Sequence, residues 1–147
     1  AYEAFTLLRH IGHKATTHFA QMGPYEADTA TWPHHFDVGA YMPVLREKEK
    51  DLKSIGIGLA IADKDHHEPY FYVNHWVEGD EDPHIHLPYV GPGAVWMLED
   101  WHGTILPVSE LLKVKDAAAQ AELVHRFFME AINANLKLIG EPMFEIE

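Results

Sequence analysis

The sequence predicts an α+β domain: an antiparallel sheet of about five strands with two long helices, N-terminal and C-terminal, packed on one face. Three observations lead there. Segments near both ends carry apolar residues at helical spacing. Between them lie short stretches in which apolar and polar residues alternate, the period of a half-buried strand. The connections between those stretches are short, which favours antiparallel pairing.

The first helix spans Tyr2 to Gln21, with Phe5, Leu8, Ile11, Ala15 and Phe19 on its buried stripe. His10, Lys14 and Thr17 face water, and Gly23-Pro24 ends it. "YEADTATWP" is a loop leading into the first strand, about His34 to Leu45. There Phe36, Val38, Ala40 and Met42 share one face, and His35, Asp37, Gly39 and Tyr41 the other. "REKEKDLK" has the alternating charges of an exposed hairpin connection. "SIGIGLAIA" is the second strand; Gly56 and Gly58 share a face, which leaves room for something bulky against the backbone. "DKDHHEP" is a polar turn. "YFYVNHWV" is the third strand, with Phe71, Val73 and His75 opposed to Tyr70, Tyr72, Asn74 and Trp76.

The long loop "EGDEDPHIHLPYVGPG" suits a lid or rim. "AVWMLED" and "WHGTILP" read as further short strands, and Ser109 as the cap of a turn over Glu110 to Lys113. Asp116 to Leu138 is the second long helix, with Ala118, Leu123, Phe127, Ala131 and Leu138 toward the core. Gly140 and Pro142 end it, and "MFEIE" reads as a final edge strand.

The 147 residues fit a single domain over 1–147, and 47% hydrophobic content is enough for one core. There is no cysteine, which excludes disulfides, thiolate metal sites and a cysteine nucleophile. It also fits a reducing, cytoplasmic compartment. Asp and Glu outnumber Lys and Arg by 23 to 11, a net charge of -12. Such a surface repels nucleic acid and anionic lipid, so neither is an expected partner. No apolar run approaches the roughly 20 residues of a membrane span. The chain starts at Ala1 without a signal-like pattern, which we read as a trimmed chain or as the C-terminal part of a longer protein.

Trp32, Phe36 and Asp37 form a W-x-x-x-F-D box; Pro69, Phe71 and Tyr72 form a P-x-F-Y segment; Leu106-Pro107 is followed by an amphipathic helix holding Phe127 and Phe128. In this order, from Thr31 to Leu138, the boxes resemble a bacterial protein family of unknown function. That resemblance implies the architecture given above and a match to the C-terminal half of longer members. It brings no chemistry with it.

Histidine stands out, at 12 residues, against an average usage on the order of 2%. His35 and Asp37 are two apart on a strand, so both face the same way. With His75 from a neighbouring strand they offer imidazole and carboxylate ligands for a divalent metal, Zn²⁺, Fe²⁺ or Mn²⁺. Alternatively Asp37 orients His35 as a general base. The plainer reading is a pair of histidines where the strand leaves water. His34, Trp32, Tyr72, Trp76 and Trp96 would line a ligand pocket around these groups, although aromatic residues at period two also serve simple cross-strand packing.

His84 and His86 have chelate-like spacing in an acidic loop that favours solvated histidines. Asp65 to Glu68 is a solvated turn, and His10 with His13 is a surface pair. There is no G-x-S-x-G, no phosphate-binding glycine loop and no H-E-x-x-H. Three functions stay open: a domain binding a small molecule or divalent metal, a metal-dependent hydrolase or oxygenase, and a structural module that homodimerises through a sheet edge or helix.

Overall fold

The computed structural model describes residues 10, 13–14, 17–19, 21, 25, 27–32, 37–79, 86–99 and 101–145. Its centre is an antiparallel sheet of six strands: β1 (Asp28–Trp32), β2 (Asp37–Glu47), β3 (Lys50–Ala60), β4 (Tyr70–Val77), β5 (Val95–Met97) and β6 (Gly103–Pro107). The spatial order is β1-β2-β3-β4-β6-β5. Two helices follow β6: the short α1 (Val108–Leu112) and the long α2 (Ala117–Leu138).

Alternation along the strands divides the sheet into two faces. The ladders align Val38 with Leu59 and Phe71, Ala40 with Ile57 and Val73, and Met42 with Ile55 and His75. These side chains are buried and form the core face. Helix α2 covers it with Val124, Phe127, Phe128, Ala131, Ile132 and Leu136, all buried in the same cluster. Their spacing is that of one helix stripe. Burying each large side chain contributes about 1.5–3 kcal/mol. The Asp116 carboxylate starts α2 by accepting the Ala119 N–H at 2.8 Å.

The α+β plan, the antiparallel sheet and the C-terminal helix agree with the sequence reading. The second long helix is less complete. His10, His13, Lys14, Thr17, His18, Phe19 and Gln21 are helical, and Phe19 is buried against Phe128 and the His125 ring. The other positions of the expected helix lie outside the described residues. Among the described residues, α2 is therefore the one long helix rather than one of two.

Four local expectations are corrected in whole or in part. The expected loop "YEADTATWP" contains β1, which pairs with β2 through Thr31↔Val38 and Trp32↔Asp37. The charged "REKEKDLK" does hold the exposed hairpin connection, but the turn is only Lys48 (φ 49°) and Glu49 (φ 66°), and the rest of the segment extends β2 and β3. Ser109 does not cap a turn by itself. Its N–H and hydroxyl both donate to the Glu68 carboxylate, at 2.7 and 2.9 Å, within an α1 that starts at Val108. Residues 143–145 are not a strand. Asn133 on α2 satisfies the Phe144 backbone in both directions, at 2.7 and 3.2 Å, and so holds the tail along the helix.

Candidate functional site

The face of the sheet turned away from α2 is organised in cross-strand rows. One row runs Pro43, Ser54, Trp76; the next Tyr41, Gly56, Asn74, Gly103; the third Gly39, Gly58, Tyr72, Ile105. The middle strand, β3, contributes only small residues to these rows. The flanking strands contribute Tyr41 from β2 and Tyr72, Asn74 and Trp76 from β4. The result is a slot along β3, lined by these side chains.

Its volume is about 440 Å³, and its lining includes Tyr41, Asp51, Ser54, Gly56, Tyr72, Asn74 and Trp76. That lies within the usual range for small-molecule sites, roughly 300–1,000 Å³. Two of the glycines are required by their neighbours. A Cβ on Gly58 would stand 2.5 Å from the Val38 carbonyl oxygen and 2.8 Å from the Tyr72 ring, and one on Gly56 would stand 2.4 Å from Asn74 Oδ1. Tyr72 and Asn74 therefore lean across the floor of β3. This meets the expectation that something bulky approaches Gly56 and Gly58. Trp101 supports Tyr72 from the far side, with ring centroids 6.3 Å apart at 81°.

The charge in the slot is internally closed. Asp51 accepts from Arg46 Nε at 2.6 Å and from the Tyr41 hydroxyl at 2.8 Å. The Arg46 bond, then the Tyr41 bond, hold the Asp51 carboxyl below its ordinary range. Burial, then the Asp37 charge, push the Tyr72 hydroxyl far above the ordinary tyrosine range. Burial does the same for Tyr70, aided by its 2.6 Å bond to Asp63. Both phenols are thus neutral across the physiological range and keep their protons for donation.

The residues singled out from the sequence fall in three groups. Tyr72 and Trp76 line the slot. Asp37 shares their face by alternation along β2, where its charge reaches Tyr70 and Tyr72. His75 is on the other face, in register with Ile55 and Met42, and its Nδ1 lies 2.7 Å from Asn135 Oδ1 on α2. Asp37 and His75 therefore lie on opposite faces of the sheet, since alternate residues of paired strands point apart, while His35 lies outside the described residues.

Trp96 is in register with Thr104 and so with Val73, also away from the slot; its indole donates to the Pro88 carbonyl at 2.8 Å. His34 and His35 lie outside the described residues, as do His84 and the Trp32 side chain. Among the described residues, no group of three or more His, Asp or Glu side chains is arranged to hold a metal ion. None of their helices is long and apolar enough to cross a membrane.

Sequence reasoning missed Tyr41, Asp51, Ser54 and Asn74 as site residues. The signal was present in part. Small residues at Ser54, Gly56 and Gly58, flanked on both sides by aromatic strands, mark a furrow once the strand order is known. No family model, no curated protein and no solved structure matches this chain.

Proposed function

We propose that this chain is a small-molecule-binding domain whose site is the slot between Tyr41 and Trp76 on the open face of the sheet. The observation that carries the reading is the row pattern. Small residues on β3 let Tyr72 and Asn74 lean over its backbone, leaving a cavity between Tyr41 and Trp76 at a size suited to one small ligand. An open face of an antiparallel sheet needs only polar residues to meet water. Here it carries Tyr41, 36% exposed, and Trp76, 47% exposed, beside a cavity.

Within the slot, Asp51 serves charge balance rather than proton transfer. Held below its ordinary range by Arg46 and Tyr41, it is a poor base and holds no proton to donate near neutral pH. The metal site first considered from the sequence used His35, Asp37 and His75, of which Asp37 and His75 stand on opposite faces.

The test is a fragment screen by ligand-observed nuclear magnetic resonance, followed by titration of tryptophan emission. Hits are expected to bind wild type and to lose about tenfold or more in affinity in Trp76→Ala, the scale of one truncated aromatic anchor. Hits that bind Trp76→Ala as well as wild type would overturn the assignment.

A further inference from the structure

We infer that the occupant of this slot is an uncharged pyranose sugar, an inference that rests on the slot being the binding site. Three features on the open face select that chemistry.

The first is charge. Asp51 is already engaged by Arg46 and Tyr41, so a cationic ligand meets a carboxylate whose charge is already balanced. Anions meet a chain of net charge -12. A neutral ligand meets neither obstacle.

The second is the set of unspent polar groups. Among the described residues, the Asn74 carboxamide, the Trp76 indole N–H and the Tyr72 hydroxyl make no hydrogen bond. They line the same slot. The carboxamide offers donors and an acceptor, the indole one donor, and the phenol both roles. Groups that must pair in several directions suit a ligand with hydroxyls around its rim.

The third is shape and hydration. The walls stand on β2 and β4, and the cavity of about 440 Å³ between them is of a size for one ring. Those walls remain partly in water, with Trp76 47% and Tyr41 36% exposed. A flat heteroaromatic ligand gains most where both of its faces are covered, and this slot is open above. A pyranose sets its C–H face against an aromatic ring, offers hydroxyls to Asn74, and leaves the remaining hydroxyls in water.

Calorimetric and fluorescence titrations of the full chain with three probe sets test this: neutral hexoses and their β-linked disaccharides, glucuronate, and uncharged nucleosides. The expected result is saturable binding of at least one neutral sugar and weaker binding of glucuronate. Asn74→Ala and Trp76→Ala should each lose about tenfold in affinity, while Trp76→Phe, which keeps a ring, retains most of it. Circular dichroism of each variant checks that the fold is kept. Nucleosides binding in a Trp76-dependent way while sugars do not would overturn the sugar inference and leave the slot reading standing. Absence of binding by all three sets, with fragment hits that still depend on Trp76, would do the same. No Trp76-dependent ligand of any kind would sink both.

Discussion

The two faces of one sheet obey different rules, although every second residue of the same strands builds each. On the core face, β2, β3 and β4 present Met42, Ile55, Ile57, Phe71 and Val73, and α2 closes them off from water. Its polar groups are paired internally: His75 with Asn135, Asn135 Nδ2 with the Ala131 carbonyl at 2.8 Å, and Thr104 with the Val73 carbonyl at 3.0 Å. On the open face, β3 gives up its side chains. Aromatic neighbours lean over the vacated backbone, and Asn74 and Trp76 keep their polar groups unspent. Close packing goes to one side, and exposed aromatic and polar groups to the other. The difference teaches that stability and the proposed binding should be separable by substitution.

The largest separation is expected on the core face. Phe128→Ala should cost about 3–5 kcal/mol in urea unfolding, since it opens a cavity where Phe19, Phe71 and Phe127 meet it. Ligand affinity of the molecules that remain folded should not change. Next comes Asn135→Ala, which strips the His75 ring nitrogen of its 2.7 Å partner in a buried setting. A loss of about 1–3 kcal/mol is expected, and a much smaller one would mean that water reaches this pair.

A pair of glycine substitutions sharpens the contrast within the open face. Gly58→Ala sets a methyl against the Val38 backbone oxygen, which cannot swing away, and should cost about 1–3 kcal/mol. Gly56→Ala meets the far end of Asn74, a side chain that can rotate. It should cost less than about 1 kcal/mol of stability yet weaken ligand binding. Equal stability losses in the two variants would contradict the distinction.

The smallest effect concerns pH. The Asp51 carboxyl is held below the ordinary value of 3.8 by Arg46 and Tyr41. Its contribution is therefore present in full above that value and is lost as pH falls through the lower value it has in the fold. The stability difference between wild type and Asp51→Asn should be small at pH 7, as for exposed ion pairs. It should vanish in strong acid. A difference that grows toward acid would reverse the sign.

Much of this frame was legible in the sequence, and the reasons are physical. The alternation of Val38, Ala40 and Met42, and of Phe71, Val73 and His75, is long enough to assign faces before any pairing is known. Helix α2 announces itself through Phe127 and Ala131 at helical spacing, both buried, whereas Ala118, expected beside them, is exposed in the first turn. β1 escaped notice because its five residues, "DTATW", hold only Ala30 and Trp32 as apolar positions, too short an alternation to stand out, and abut Pro33. The tightness of the turn at Lys48–Glu49 escaped because its left-handed conformations are taken by charged residues rather than by the usual Asn-Gly.

The site was half legible. Tyr72 and Trp76 were singled out, but the neighbours that make them a slot depend on strand order, which places Tyr41 two strands from Trp76. His75 attracted attention as a ligand through its chemistry, while its own register sends it into the core. A buried histidine satisfied by an asparagine is invisible until α2 is laid across the sheet.

Residue-resolved mapping of amide and indole chemical shifts, on adding a ligand that quenches tryptophan emission, addresses the division of faces most directly. The expected result is a set of shifts confined to Tyr41, Ser54, Gly56, Asn74 and Trp76, with Phe128, Ile132 and Asn135 unmoved. Shifts centred on α2, or spread evenly over both faces, would contradict it.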